Sequence, residues 1–295
     1  MSALTPDPVP LGNSGLSIAP IGWGMWRFAG DDVGAARARV EAALEAGIDF
    51  FDTADVYGPD NGEPFGAAEA LLGRVLAEAP GLRDRMVLAT KGGIVPGVPY
   101  DSGAAYLESA LDASLRRMRT DHVELWQVHR PDMLTHPADL ARTLERMVVS
   151  GKVLSVGVSN FTPAQIRALQ AHLPFALATT QPQFSPLHTR PLWDGELDLA
   201  MELGLAVLAW SPLGGGRLSG EGAVAALLDA KAAEAGVSRA AAAYAWIMAH
   251  PARPVPIVGS QQPGRIREAA DAFRLQWSRA EWYAVVEASS GHRLP

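Results

Sequence analysis

The chain has 295 residues, of which 48% are hydrophobic and 19% charged, so it has enough apolar side chains for a large core and is not intrinsically disordered. Its 25 basic and 32 acidic residues give a net charge of −7 with no basic stripe, which argues against nucleic acid as a partner. The absence of cysteine excludes disulfides, thiolate nucleophiles and thiolate metal sites.

The N-terminus has neither the basic nor the apolar region of a signal peptide, and no apolar run approaches the roughly 20 residues that span a bilayer. We therefore expect a cytoplasmic protein without a membrane partner. The first patterned segment, residues 9–18, has apolar flanks around an Asn13-Ser14-Gly15 turn signal. This pattern predicts a small β-hairpin.

Eight short apolar runs come after it, and each predicts a strand buried on both faces, as in a parallel sheet. They begin near Ile21, Ile48, Met86, His122, Val153, Ala176, Leu205 and Pro254. Amphipathic segments typical of helices separate or follow them, at residues 31–46, 67–79, 102–118, 137–150, 162–171, 193–202, 222–235, 238–249, 263–272 and 278–288. Three of these helices are expected to end at glycines, Gly47, Gly151 and Gly204.

Eight strands alternating with helices predict an α/β fold, a single (β/α)8 TIM barrel over residues 1–295 with the N-terminal β-hairpin closing its bottom. The alternative is an open doubly wound sheet, which usually carries a glycine-rich turn after its first strand. Gly22 and Gly24 lack the third glycine of that fingerprint. The barrel is therefore the preferred interpretation.

Polar side chains come directly after the predicted strands, at the end of a barrel where active sites lie. Asp52, Tyr57, Lys91 and His129 come from three consecutive strand–helix junctions. Each of them has an ordinary interpretation when it is considered alone. Asp52 could be a turn or capping residue and Tyr57 an aromatic side chain in a loop, while Lys91 could be an exposed ammonium and His129 a hydrogen-bonded structural imidazole. Together they can reduce a carbonyl group: Tyr57 donates the proton, Lys91 lowers the pKa of the phenol, Asp52 anchors Lys91, and His129 orients the substrate oxygen.

No protein side chain supplies a hydride, so this chemistry implies a nicotinamide cofactor. Ser159, Asn160 and Gln181 suit its carboxamide, and Trp210 offers a flat face to its ring. The loops after the last two strands lie where barrels hold phosphate. The expected cofactor contacts are Gly24, Met25, Trp26, Asp52, Ser159, Asn160, Gln181, Trp210, Ser211, Pro212, Leu213, Gly214, Gly216, Arg217, Gly259, Ser260, Gln261, Arg265 and Glu268. No metal site is expected.

These motifs resemble the aldo-keto reductase superfamily over essentially the whole chain. The segments that carry the resemblance are residues 52–58, 91–92, 128–131, 151–153, 157–161, 210–214 and 257–260. Residues 214–218 and 159–165 are most similar to the bacterial YdhF-type oxidoreductases. The resemblance implies that Asp52, Tyr57, Lys91 and His129 are a catalytic tetrad.

The resemblance also implies NADPH as the cofactor, with Ser260 and Arg265 in support. Gly259, Gln262 and Ala269 depart from the pattern of many NADP-preferring members, so NADH is the alternative. Thr180 likewise replaces an asparagine that is common before the residue matching Gln181.

The expected partner is a small-molecule carbonyl substrate, which the sequence does not identify. Because few residues follow the helix predicted to end near residue 288, we expect the long C-terminal loop of many relatives to be short here and the site to be open and permissive. Trp23, Trp26, Trp126 and residues 58–65 are candidates for an apolar pocket, although Trp126 equally fits the barrel wall. No heptad seam or obvious apolar stripe indicates an oligomeric state.

Three other functions fit parts of the pattern. Lys91 could form a Schiff base in an aldolase-like barrel, but this needs a lowered pKa that Asp52 opposes. Asp52, Asp55 and His129 could serve a metal hydrolase, but the clustered histidines of such sites are missing. A cofactor-sensing binding subunit with slow residual reductase activity is the third alternative.

Overall fold

The apolar runs form strands of a closed parallel barrel in the computed structural model, which describes residues 3–295. The hairpin strands β1 (Val9–Pro10) and β2 (Ser17–Ile18) precede it. The barrel strands are β3 (Gly22–Gly24), β4 (Phe50–Asp52), β5 (Val87–Gly92), β6 (Val123–Val128), β7 (Val153–Ser159), β8 (Thr179–Gln181), β9 (Ala206–Ala209) and β10 (Val255–Val258). They pair in chain order and β10 closes on β3, which confirms the predicted (β/α)8 architecture.

The helices cover the barrel and lie close to their predicted positions. They are α1 (Val33–Glu45), α2 (Ala67–Glu78), α3 (Ala104–Met118), α4 (Pro137–Val149), α5 (Pro163–Gln170), α6 (Glu196–Leu203), α7 (Ala223–Ala235), α8 (Arg239–Met248), α9 (Pro263–Arg267) and α10 (Arg279–Ser290). Several of these helices begin directly after a polar side chain that accepts a hydrogen bond from a backbone amide of the first turn. Asp32 accepts a hydrogen bond from the Ala35 amide at the start of α1, and Thr162 and Gln165 form a capping box at α5.

Some local details differ from the sequence prediction. The helix expected at residues 263–272 is a five-residue α9 followed by a 3-10 segment, Glu268–Arg274. The predicted helix at 193–202 begins only at Glu196, after a 3-10 turn, Arg190–Leu192. Both differences concern helix ends, where backbone hydrogen bonding is least cooperative.

The hairpin closes the amino-terminal end of the barrel, as predicted. Leu11 and Ile18 are fully buried and pack in one cluster with side chains of the lower barrel interior, among them Phe50 and Leu125. Asn13 at the turn donates a hydrogen bond to the Leu203 carbonyl oxygen at 2.9 Å, which ties the turn to the α6–β9 junction.

Two tryptophans considered for a substrate pocket are instead core residues. Trp23 and Trp126 are fully buried, and the Trp23 indole donates to the Ser260 carbonyl oxygen. Trp26 alone of the three is exposed, and it donates a hydrogen bond to Asp60 in the loop after β4. None of the helices described within residues 3–295 has the length and hydropathy needed to cross a membrane.

Candidate active site

A buried ion pair lies at the centre of the carboxyl-terminal rim. Strands β4 and β5 are neighbours, and Lys91 donates to Asp52 Oδ2 at 2.8 Å, to the Thr53 carbonyl oxygen at 2.7 Å and to the Tyr57 hydroxyl oxygen at 3.3 Å. Both charged side chains are almost fully buried. The parallel sheet therefore brings together the three residues that the sequence predicted from two separate junctions.

The second carboxylate oxygen of Asp52 belongs to a network inside the barrel. Gln181 donates to Asp52 Oδ1 at 3.1 Å and Gln127 donates to the same oxygen at 3.4 Å. The Gln127 amide oxygen in turn accepts from Thr179. Gln181, expected at the carboxamide of the cofactor, is thus bonded to the Asp52 carboxylate in this structure, while the contacts of Gln127 and Thr179 were not predicted.

Burial controls the charge states of this cluster. Burial disfavours the charged form of Lys91, but Asp52 and Tyr57 outweigh it and raise its pKa. The pKa of Tyr57 is also raised, because burial and the Asp52 charge outweigh the lowering effect of Lys91. The expected lowering by Lys91 is thus present, but the net direction is the opposite. A lysine with a raised pKa does not suit Schiff-base chemistry.

His129 faces Tyr57 from the end of β6. The two rings meet edge to face with centroids 5.9 Å apart, and the His129 amide donates to the Gly92 carbonyl oxygen. Burial, assisted by the charges of Lys91 and Arg130, holds the pKa of His129 well below its usual value. The imidazole is therefore neutral near pH 7, and its buried Nδ1 has no partner among the described residues.

Hydrogen-bonded polar side chains lie at the carboxyl-terminal end of β7. Asn160 adopts a left-handed backbone, with φ of 62°, and donates to Ser159 Oγ and to the His129 carbonyl oxygen. Its amide oxygen accepts from the Trp210 indole at 3.0 Å. Asn160 thus joins the expected carboxamide site to the expected ring face. The structure brings Ser159, Asn160 and Trp210 together as predicted.

The two loops expected to bind phosphate lie at neighbouring strands, β9 and β10. After Ser211, Pro212 and Leu213, three glycines, Gly214, Gly215 and Gly216, have left-handed φ values of 61°, 69° and 94°. Only glycine adopts such a run without strain, and the resulting backbone lacks side chains that would keep an anion away. Arg217 closes the turn by donating to the Gly214 carbonyl oxygen.

The second loop comes after β10 and contacts the first barrel strand. Gln261 donates to the Gly24 carbonyl oxygen, while its own buried amide oxygen has no partner among residues 3–295. The remaining expected contacts lie around this loop. Met25 is buried, and its backbone amide donates a hydrogen bond to the Asp52 carbonyl oxygen. Gly259 and Ser260 lie between β10 and α9. Arg265 is exposed on α9, and Glu268 is exposed directly after that helix.

The sequence prediction omitted Arg130. Its guanidinium carbon lies 5.8 Å from the Trp210 ring centroid. Its charge adds to the lowering of the His129 pKa and opposes the net rise of the Tyr57 pKa. Within the described chain no carboxylate pairs with it. The signal was its place directly after His129 at a strand end, where a side chain reaches the rim.

The amino-acid sequence is similar to those of known reductases. Residues 20–290 match the aldo/keto reductase family. The chain is 56% identical to a 6-dehydroglucose reductase of Novosphingobium aromaticivorans, over 97% of this chain and 96% of that protein. It is 35% identical to the Escherichia coli oxidoreductase YdhF, over 95% and 99% of the two chains, which confirms the resemblance to that type.

A solved structure matches the fold. The crystal structure of the thermostable aldo-keto reductase Tm1743 in complex with the inhibitor epalrestat superposes with a TM-score of 0.82 at 22% sequence identity, covering 95% of this chain and 98% of that one. At this identity the match supports the barrel architecture alone.

Proposed function

Because the chain belongs to the aldo/keto reductase family and is an oxidoreductase acting on carbonyl compounds, we propose that it reduces a sugar aldehyde of the 6-dehydroglucose type with NADPH. The substrate class is supported by the relative that is 56% identical over nearly the full length of both chains. We propose likewise that residues 1–295 form a single catalytic domain.

The observation that carries the mechanism is the buried contact of Lys91 with both Asp52 and Tyr57. The Tyr57 oxygen accepts from Lys91 and donates to no described group, so its hydrogen is free to point at a substrate oxygen. A raised pKa keeps the phenol protonated until an alkoxide, a much stronger base, forms beside it. Lys91 then stabilises the phenolate, and Asp52 keeps Lys91 charged.

Neutral His129 is the second group that meets the substrate. Its ring lies edge to face with Tyr57, so both side chains can bond to one carbonyl oxygen. An uncharged imidazole donates through one nitrogen without repelling the nearby ammonium of Lys91. The proton transfer therefore has one donor, Tyr57, and one orienting group, His129.

The residues around this site fit a nicotinamide dinucleotide, which supplies the hydride when bound. Ser159 and Asn160 offer hydroxyl and amide groups for the carboxamide, and Trp210 offers its ring face. The left-handed glycine turn suits the pyrophosphate. The Gln261 amide oxygen has no partner among the described residues, so it can accept a hydrogen bond from the cofactor. Exposed Arg265, without an ion pair in the described chain, suits a 2′-phosphate and favours NADPH over NADH.

Arg130 supports a polar substrate. An arginine without a carboxylate partner at the rim of the site can bind two neighbouring hydroxyl oxygens through its planar fork of N–H donors. Arg130 lies over Trp210, the ring that we expect to face the nicotinamide, which supports a role for its N–H donors in binding the substrate. A sugar carries such neighbouring hydroxyls, whereas a simple aromatic aldehyde does not.

The test is NADPH oxidation followed at 340 nm with 6-dehydroglucose and, in parallel, benzaldehyde. We expect the sugar aldehyde to have the higher kcat/KM. Arg130→Ala should raise KM for the sugar by about tenfold and change KM for benzaldehyde much less, while any effect on kcat through Tyr57 and His129 is common to both aldehydes. Arg119→Ala, at an arginine just past the carboxyl-terminal end of α3, is the matched control. Equal kcat/KM values for both aldehydes would contradict the proposed substrate class.

A further inference from the structure

A large groove lies on the outside of the barrel, away from the catalytic rim. Its volume is about 710 Å³, within the roughly 300–1,000 Å³ of small-molecule sites. One wall is the N-terminal segment, residues 3–5, and another is the 249–254 segment that leads into β10 at the amino-terminal end of the barrel. None of the catalytic or expected cofactor residues lines it.

The floor of the groove is formed by packed aromatic rings. Trp282 of α10 stacks on Trp246 of α8, with ring centroids 4.9 Å apart and planes 8° from parallel. Each indole donates to the other residue's carbonyl oxygen, at 3.1 and 3.0 Å. Tyr283 packs edge-on against Trp282 and remains partly exposed in the groove. A preformed aromatic surface loses little conformational entropy when it binds a flat molecule.

The charge of the groove is opposite to that of the protein. The chain has 32 acidic and 25 basic residues, yet no aspartate or glutamate of the described chain lines the groove, whereas Arg253, Arg279 and His250 do. Neither arginine has an ion pair within residues 3–295. His250 Nδ1 accepts from the Ala252 amide, so the neutral ring carries its hydrogen on Nε2, which is left to donate.

The backbone also supports a functional interpretation of this groove. Arg253 adopts a left-handed conformation with φ of 47°, which is rare for a residue other than glycine. Such conformations cost free energy and are concentrated at binding and catalytic sites. Here the conformation presents an arginine at the wall of a cavity whose floor is aromatic.

From the aromatic floor and the unpaired arginines, we propose that the groove binds a small organic anion with a flat apolar body and a carboxylate, sulfonate or phosphate group. The apolar body lies against Trp282 and Tyr283, and the anionic group bonds to Arg253 and Arg279. Charge complementarity favours an anion, because neither Arg253 nor Arg279 has an ion pair within residues 3–295, and the one acidic group that acts on the basic lining is Asp198, near His250. None of the residues that line this site belongs to the proposed active site, and only the use of NADP⁺ in the test rests on the proposed function.

The test uses 8-anilinonaphthalene-1-sulfonate, whose fluorescence rises on binding, with the full chain saturated with NADP⁺ so that the cofactor site is filled. We expect the double variant Arg253→Ala/Arg279→Ala to weaken its binding by about tenfold or more. Arg85→Ala, an exposed arginine outside the groove, is expected to leave binding unchanged. The parent protein, the double variant and Arg85→Ala should all reduce carbonyl substrates at the same rate.

A neutral probe separates the two parts of the site. N-phenyl-1-naphthylamine has the same rings without the sulfonate, so its binding should be weaker in the parent protein and insensitive to the arginine substitutions. Tyr283→Ala should weaken both probes. Sulfonate binding that survives the double arginine variant would overturn the proposal.

Discussion

At the scale of single residues, the barrel interior sets the protonation states that reduction of a carbonyl requires. Lys91 keeps its charge because Asp52 lies 2.8 Å away, although both side chains are out of contact with water. Tyr57 keeps its proton because burial disfavours the phenolate. His129 stays neutral because burial and two nearby cations, Lys91 and Arg130, disfavour the imidazolium. The proposed roles therefore follow from location as much as from residue type.

Removal of the proton donor should separate chemistry from binding. Tyr57→Phe is expected to lower kcat by roughly 10²- to 10⁴-fold, since general acid catalysis contributes about that much. The ring and its contact with His129 remain, so the dissociation constant of NADPH, measured by fluorescence titration, should stay within about twofold of the parent value. A variant that keeps full turnover would rule out Tyr57 as the donor.

At the scale of elements, the hairpin and the loop after β4 each carry a testable constraint. Gly12 lies in the hairpin turn with a φ of 53°, and a Cβ atom there would lie 1.9 Å from the Ala178 carbonyl oxygen. Asp55 lies in the loop between Asp52 and Tyr57, and its carboxylate accepts from the Tyr106 hydroxyl. One constraint is steric and the other is electrostatic.

Gly12→Ala should destabilise the protein more than Gly15→Ala. Both glycines have a positive φ, but Gly15 has open space where a Cβ atom would lie. Both variants therefore have similar backbone strain of about 1 kcal/mol, while only Gly12→Ala also forces the hairpin away from β8. Urea unfolding measures both. Equal losses of unfolding free energy would show that the hairpin turn is free to shift.

The stability of the protein should fall as the pH rises towards 8, in part because of Asp55. Burial, together with the charge of Glu69, raises the pKa of Asp55 from 3.8 to about 8 even though Arg117 opposes this. Between those values the unfolded chain loses a proton that the folded protein retains, so the free energy of unfolding decreases with pH. Asp55→Asn should make that decrease shallower in urea unfolding between pH 5 and pH 8. A slope identical to the parent's would contradict the raised pKa.

At the scale of the whole molecule, closure of the barrel places the expected cofactor contacts of distant chain segments on one rim. Residues near Gly24 and Gly259 are far apart in sequence, yet β3 and β10 are hydrogen-bonded neighbours. A dinucleotide that touches several strands at once binds only the folded barrel, and it should therefore stabilise the protein as its concentration rises.

Arg265→Ala should discriminate between the two cofactors. Loss of a charge-assisted contact to the 2′-phosphate is expected to weaken NADPH binding by about tenfold and to leave NADH binding unchanged. Arg267→Ala is the control, since Arg267 lies two residues further on and pairs with Glu45. Thermal shifts across a titration of each cofactor provide the measurement. An equal effect of Arg265→Ala on both cofactors would argue against NADPH preference.

The order of the elements was determined by the sequence itself. Buried strands are continuous apolar runs, and helices are amphipathic segments with capping residues such as Asp32 and Thr162, because both patterns arise from local periodicity and backbone hydrogen bonding. The residues of the rim were also predictable, since a closed parallel barrel places the residues just after each strand on one face. The predicted positions of helix ends and 3-10 turns were less accurate, because only a small free energy difference determines where a helix ends.

Only the tertiary structure decided how those residues interact. Asp52 accepts hydrogen bonds from Gln127 and Gln181, which are 75 and 129 residues away in the sequence. The upward shift of the Tyr57 pKa and the position of Trp126 in the core depend on burial, which no local pattern reports. The groove between α8, α10 and the N-terminal segment has the same origin. Sequence patterns report local preference, whereas burial and charge coupling are properties of the packed molecule.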